Sequence, residues 1–518
     1  MIRKVLFPLI VFCLLVSSIQ ADVNGDTLRV EDKKVLKVWG THYERGYATG
    51  WLMGNEIMEI AVDYVIESVF FNSAALYYST RAFFDCNYSV EVKYENEAQG
   101  IIDGMYDSGV ELYIQILDKD IDITDLFMAN SIVDLSVLSR FDIPPGFFGC
   151  SSMSSWGEST WNDPELNGQL VITRNMDWFV HPVLLDNHLL VVQIPAEADE
   201  VPWISFTFPG MLGALSAINA NNLATFMNVG NINNYNDTSD LHPIFFSIRN
   251  GIESSDYNED GFNSIEDIVS AIEDQLHLSG SIVHAAQNDL GMVIETNNIS
   301  GTLTRTVEDN TVISGDNLVA TNHFRMLYQP VYCYRYENFA DSLSANSQVD
   351  IDRSWDVTTG AGGVWNNLHT IQFVPVLDVA KWSAATSGNP AYTLEPTIFV
   401  LDELFEPETG NSGNDIIMSG TSLNVYPNPF YASATGEERS MSITIDFYLD
   451  KDGLIDLSIY NLRGQKIDTV IEGVLETGKH FHCWSGTDRK GRTLESGIYL
   501  VKLSSGKKIT TKKLMLLK

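Results

Sequence analysis

The sequence predicts an α+β protein followed by a separate small all-β module. Three observations carry this expectation. Residues 22–149 place apolar side chains at helical spacing, and from Cys150 onward the texture changes to short apolar or alternating runs separated by Asn, Gly and Asp. A polar stretch at 406–422 then precedes a second set of evenly spaced short strands. With 518 residues, 45% of them hydrophobic and 19% charged, the chain has material for more than one core.

Taken in order, residues 1–21 read as a signal peptide: Arg3 and Lys4, an apolar run from Val5 to Val16, then small residues ending at Ala21. That run is too short to span a bilayer, and no other stretch reaches the roughly 18 apolar residues a spanning helix needs, so no transmembrane segment is expected in the mature chain. A strand is expected near Val35 to Trp39, helices at Glu56 to Phe70 and Asp125 to Leu138, and a stop at Pro144-Pro145-Gly146. Strands follow at Gln169 to Thr173, Leu189 to Ile194, Trp203 to Phe208 and Met292 to Glu295, with a helix from Ile265 to Leu276 capped by Ser264. Residues 22–149 are therefore the helix-rich segment and 150–405 the strand-rich one, 406–422 is a linker, and 423–518 is the all-β module. Its strands are expected at Ser442 to Tyr448, Leu454 to Tyr460, Ile498 to Leu503 and Ile509 to Leu517.

Charge excludes some functions. The formal net charge is −36, whereas nucleic-acid binding needs clustered Lys and Arg to displace counterions. An anionic membrane surface is disfavoured for the same reason. The acidity is local: residues 423–518 carry 14 basic and 11 acidic side chains and residues 1–21 only Arg3 and Lys4, so residues 22–422 hold −41. The mature cysteines Cys86, Cys150, Cys333 and Cys483 are too few for a disulfide framework. No CxxC or HExxH pair is present, so neither a cofactor nor a thiolate zinc site is expected.

Cys150 is the candidate nucleophile. It follows Gly149 at the change from helix to strand, and a cysteine needs a base to become a good nucleophile. Its own α-amino group, with an ordinary pKa near 7.7–8, would serve if the Gly149-Cys150 bond were cut. The bland alternative is a buried free thiol. Cys150 to Trp156 and Gln169 to Asp177 read as a hairpin, which would fold Arg174 and Asp177 back beside Cys150. Only six arginines and one lysine lie between Cys150 and Asp402, so a cation there is scarce by composition. Its expected role is to hold an anion or lower the thiol pKa, with Asp177 accepting from the new amino terminus; a plain cross-strand pair is the alternative.

Gly40-Thr-His-Tyr-Glu-Arg-Gly46, Gly149-Cys-Ser-Ser152, Arg174-Asn-Met-Asp-Trp178, Pro209-Gly210, Ala217-Ile-Asn219 and Thr321-Asn-His-Phe324 occur in one order. That order resembles the acyl-coenzyme A:6-aminopenicillanic acid acyltransferase family, whose architecture is shared with choloylglycine hydrolases, penicillin V acylases and acid ceramidase. The resemblance covers roughly residues 35–400. It implies a four-layer αββα N-terminal-nucleophile hydrolase sandwich that cleaves itself before Cys150 and acts on a small-molecule acyl amide through a thioester. The resemblance makes residues 22–149 the propeptide or small subunit and 150–405 the catalytic large subunit. It further implies roles for Arg174 and Asp177 beside the nucleophile, Asn219 in the oxyanion hole, Asn322 in orienting substrate and nucleophile, and Arg353 as a later active-site arginine. Asn219 is followed by Ala-Asn-Asn-Leu where the family has Glu-x-Gly-Leu.

In the tail, Val425-Tyr-Pro-Asn-Pro-Phe430, Ile459-Tyr-Asn-Leu-Arg-Gly-Gln465 and Ser496-Gly-Ile-Tyr499 resemble C-terminal sorting domains of type IX secretion cargo and the related Ig-like domain of flagellar hook-capping proteins. The resemblance implies export through that machinery to the outside of the cell. Asp256 to Asp267 resembles a calcium loop, with oxygens at positions 1, 3, 5, 9 and 12 and Gly261 at position 6, or else an acidic loop whose Ser264 caps a helix. His323 reads as structural or substrate-contacting, since no GxSxG elbow accompanies it. Two rivals stay open: a phospholipase B-like or ceramidase-like lipid hydrolase of the same fold, and a non-catalytic surface-binding protein.

Overall fold

A computed structural model describes residues 23–138, 149–230, 240–406, 423–426, 430–431, 443–449, 453–461, 466–475, 477–505 and 508–517. The signal-peptide and linker expectations, and the Pro144-Pro145-Gly146 stop, lie outside the described residues. The chain divides into two compact units, Met1–Pro407 and Glu408–Lys518.

The first unit is mixed α/β. One sheet has nine strands, in spatial order Gly25–Val30, Lys33–Gly40, Leu189–Pro195, Trp203–Thr207, Ser216–Asn219, Ala224–Val229, Ser281–Gln287, Leu290–Asn297 and Gly301–Arg305. The other has six: Asn317–Ala320, Gly149–Ser155, Val171–Asp177, Asn367–Val374, Val379–Ala384 and Thr397–Val400. Alternation along each strand assigns side chains to two faces. Phe206, Ile218 and Phe226 of the first sheet share a core with Ile172, Ile371 and Trp382 of the second. On its other face the nine-stranded sheet packs Leu36, Val191 and Met227 against helices. The six-stranded sheet likewise packs Met153 and Val319 against the helices Tyr334–Ala345 and Ile351–Gly362.

The N-terminal helices differ from expectation in extent. The helix begins at His42, capped by Thr41 in a box with Glu44, and continues as a π-helix over Ile60–Val69. It packs on the Val92–Asp107 helix with its backbone in contact: a Cβ on Gly46 would lie 2.0 Å from the Glu97 carbonyl oxygen, and one on Gly104 2.1 Å from that of Tyr47. Only glycine permits that approach. The expected Asp125 to Leu138 helix is two, Ile123–Asn130 and Ile132–Leu135, broken at Ser131, whose hydroxyl bonds back to the Phe127 carbonyl. Ser264 caps Ile265–Glu273 as expected, with Asp267 completing the box. Among the described residues no single helix is long and apolar enough to cross a membrane.

The second unit is all-β. Its three-stranded sheet, Leu423–Tyr426, Ile443–Leu449 and Gly478–Trp484, shares a core with a five-stranded sheet. Ile445 and Phe447 from the first meet Leu457, Ile459 and Val501 from the second in that core.

Candidate active site

The hairpin expected around Cys150 forms, with a defined register: Gly149–Ser155 pairs antiparallel with Val171–Asp177, Cys150 opposite Met176, Ser152 opposite Arg174 and Gly149 opposite Asp177. Strand alternation then sends Cys150 and Arg174 to one face and Asp177 to the other. Arg174 is fully buried, and its Nη2 donates to Cys150 Sγ at 3.3 Å. The guanidinium is fixed by the carbonyls of Leu215 and Met227, both at 2.7 Å, and by Ser216 Oγ at 2.6 Å. A scarce cation is thus aimed at the thiol sulfur.

On the other side, Asn322 Oδ1 accepts the Cys150 backbone N–H at 2.7 Å, while its amide donates to the Val229 carbonyl at 2.8 Å. Asp177 is fully buried and accepts from Asn367 Nδ2 at 3.0 Å and from Arg335 Nη1 at 2.7 Å. Burial pushes its carboxyl up to about 7, against Arg335, Asn367 and Arg174, which pull it down. Arg335 also donates to Asn322 Oδ1, so one guanidinium joins the two groups that flank the Gly149-Cys150 peptide. A Cβ at Gly149 would lie 2.8 Å from Arg335 Nη1 and 3.1 Å from Asp177 Oδ2, which is why a glycine precedes the cysteine.

Cys150, Arg174, Asp177 and Asn322 are therefore brought together, and two expected residues are not. Asn219 ends its strand with its side chain spent locally: Oδ1 accepts from the backbones of Asn221 and Leu223, and Nδ2 donates to the Ile252 carbonyl and to Asn263. The Ala-Asn-Asn-Leu that follows it makes a turn that consumes the amide. Arg353 lies on the Ile351–Gly362 helix and donates to the carbonyls of Gln348, Ser342 and Asn346, stapling a helix junction. The later arginine at the site is Arg335, on the Tyr334–Ala345 helix. Its sequence signal was the same scarcity of cations that singled out Arg174.

Cys150 and Arg174 open onto an apolar cavity. Its other walls include Ile57, Tyr64, Leu126, Val133, Trp178 and Met227, drawn mostly from the segment before Gly149. His323 lies near Cys333, whose thiol donates to Thr321 Oγ1 at 3.6 Å; burial pushes that thiol up, and His323, the Tyr336 N–H and Thr321 bring it down to about 6. In the Asp256 to Asp267 loop, Asp267 accepts from the backbones of Tyr257, Asn258 and Ser264, and Asp256 from that of Gly261. Among the described residues, metal-ligand atoms of His42, Glu197 and Glu200 lie within 4.8 Å of one another. There Arg45 Nη2 already lies 3.0 Å and Lys93 Nζ 3.4 Å from Glu200, so cationic side chains hold the place of a metal.

That cluster joins the two segments. His42 and Glu97 precede Gly149 and meet Arg249, which also holds Glu253: Arg249 to Glu97 is 2.6 Å, Arg249 to Glu253 2.9 Å and His42 to Glu97 2.6 Å, all buried. Breaking a buried pair strands its partner, so Arg249→Met should cost about 3–5 kcal/mol in urea unfolding. Burial pushes Glu97 up, but Arg249 and His42 outweigh it and hold the carboxyl down to about 2. Burial lowers His42, but bonds to Glu200 and Glu97 outweigh it and raise the imidazole. A depressed carboxyl stabilises fully above its unfolded value of 4.5 and loses this as pH falls toward 2. A raised histidine stabilises fully below its unfolded value of 6.5 and loses this as pH rises through its folded value. The urea midpoint should therefore be highest between those two unfolded values and decline on both sides.

No protein-family model matches the chain, and no curated protein matches it. Among solved structures it is similar to a Caenorhabditis elegans N-acylethanolamine-hydrolyzing acid amidase ortholog, at 19% identity over 44% of this chain and 94% of that one, TM-score 0.33. It is also similar to a mutant of conjugated bile acid hydrolase from Clostridium perfringens, at 10% identity over 49% of this chain and 95% of that one, TM-score 0.32. Dimeric latent PorU from Porphyromonas gingivalis matches at 17% identity over 29% of this chain and 13% of that one, TM-score 0.15. At TM-scores this low, these likenesses carry no argument about activity.

Proposed function

We propose that the protein is a self-processing N-terminal-nucleophile amidohydrolase or acyltransferase of αββα architecture, exported by a type IX-like route and acting on amides of apolar acyl groups. The observation that carries this is a thiol held on a buried guanidinium at the wall of an apolar cavity, with its own peptide nitrogen clasped by Asn322. In the first event Cys150 Sγ attacks the Gly149 carbonyl carbon, the C–N bond breaks, and the thiol proton passes to the departing Cys150 nitrogen. Water then hydrolyses the Gly149 thioester, leaving a Gly149 carboxylate, a free thiol and a free α-amino group. Asn322 and Asp177 accept from that ammonium, and Arg335 keeps both in place.

In turnover the neutral amine takes the thiol proton and Sγ attacks the substrate carbonyl. The tetrahedral centre collapses by losing the substrate amine, which takes the proton back. Water, or an acceptor amine, attacks the thioester and releases the acyl group. Arg174 steadies the thiolate between these steps. The cavity accommodates an aliphatic acyl chain and offers little to a charged one. The test is intact mass of the purified protein before and after a mixed amide and phospholipid panel. Two pieces, the second starting at Cys150 and gaining an acyl mass from amides, support the proposal. A single active chain, or acylation only from phospholipid, sinks it.

A further inference from the structure

We infer that Tyr77, pinned by an ionic clamp, is the floor of the acyl cavity and sets the longest methyl-ended chain it accepts. The inference rests on the proposed acyl-amide activity and adds the residue that limits chain length.

The cavity has a reaction end and a closed end. The Ile123–Asn130 helix runs beside it. At the C-terminal end of that helix Asn130 binds the Gly210–Gly213 loop, through the Gly210 carbonyl and the Leu212 and Gly213 amides. That loop leads directly to Leu215, whose carbonyl fixes Arg174. Asp125 stands at the other end of the helix, five residues back and so about 7–8 Å along its axis. The His42–Val69 stretch follows the same direction: Tyr64 accepts from Trp178 Nε1 at 2.6 Å next to Asp177, and Phe70, further on, lies edge-on to Tyr77 with ring centroids 5.5 Å apart.

At that far end the lining residues Phe70, Tyr77 and Ile114 are each 2% exposed and Ile121 3%. The floor is also held from behind. Tyr77 donates its hydroxyl to Asp125, and Arg81 reaches both the Tyr77 hydroxyl and Asp125 at 3.1 Å. Arg81 is anchored in turn by Asp122 at 2.9 Å, and Lys119 pairs with Asp125 as well. A tyrosine fastened by its hydroxyl presents a ring that cannot swing aside for a longer chain. Every Asp125 oxygen is already engaged, by Tyr77, Arg81, Lys119 and the Asp122 amide, so a polar chain terminus would find no partner there.

The experiment is calorimetric binding of straight-chain N-acylglycines, from hexanoyl to palmitoyl, to full-length Cys150→Ala. Affinity should rise about fourfold per methylene until the chain meets the floor, then stop rising. Adding Tyr77→Ala should move that break to a longer chain, and adding Tyr77→Phe, which keeps the ring but frees it from Asp125 and Arg81, should move it by a smaller amount. Should the alanine variant fail to fold, Ile121→Phe, which adds bulk at the same end, must move the break to a shorter chain. A break unmoved by these variants, or no binding of any chain, overturns the inference. Turnover of the same amides by the wild type is scored separately: binding with a movable break but no turnover leaves the floor standing and sinks the catalytic proposal.

Discussion

Cys150→Ala should accumulate as one uncut chain and lose amide turnover by about 10⁴-fold or more. Two losses coincide in this variant. The sulfur that Arg174 holds at 3.3 Å is gone, so the guanidinium has nothing to stabilise. The Gly149 peptide also stays intact, so the nitrogen that would become the base remains an amide and cannot take a proton. Water in the vacated space has neither the nucleophilicity of a thiolate nor the positioning. Intact mass and turnover of an acyl anilide check both losses in one preparation. Alkylation of the wild type is assigned by peptide mapping, because Cys86, Cys333 and Cys483 are free thiols beside Cys150. Equal turnover by wild type and Cys150→Ala would remove the nucleophile from the account altogether.

Arg335→Ala should reduce both self-cleavage and turnover by about 10²- to 10³-fold, while Arg353→Ala leaves them within about twofold. Arg335 bridges Asp177 and Asn322, the groups on either side of the Gly149-Cys150 peptide. Without it the Asp177 carboxyl, already pushed up by burial, loses the nearest charge that pulls it down, and it goes neutral. Asn322 loses the donor that aims its oxygen at the Cys150 nitrogen. Arg335→Lys should recover only part of the loss, since a point charge on a flexible stem cannot bridge two acceptors as a planar fork does. Arg353 holds three backbone carbonyls at a helix junction, so its removal should lower the melting temperature and spare catalysis. The rate of appearance of the fragment starting at Cys150 separates the two arginines directly. Comparable losses from both variants would contradict the bridge.

The hairpin carrying Cys150, Arg174 and Asp177 was legible because its two strands follow one another along the chain, separated only by the turn-rich stretch 156–170, and alternation sets the face. Asn322 was legible from its motif, and the structure brings its oxygen to the Cys150 nitrogen. Asn219 matched the letters of a motif while the residues after it, Ala-Asn-Asn-Leu, had already committed its side chain to a turn. That departure was the available warning. Arg335 had no motif around it, and Arg353 was an equally scarce cation on the neighbouring helix.

By itself the sequence singled out Cys150, the cation behind it, the change from helices to strands and the all-β tail, since these rest on spacing, alternation and composition along short stretches. Only the tertiary structure decided which arginine bridges Asp177 and Asn322, and that the wall of the apolar cavity comes largely from residues before Gly149. It alone ended that wall at a clamped tyrosine. The contacts that decide them are distant in sequence: Asp177 and Arg335 stand 158 positions apart and Tyr77 and Asp125 48. Such separations are closed by packing of whole sheets and helices, which no local pattern encodes.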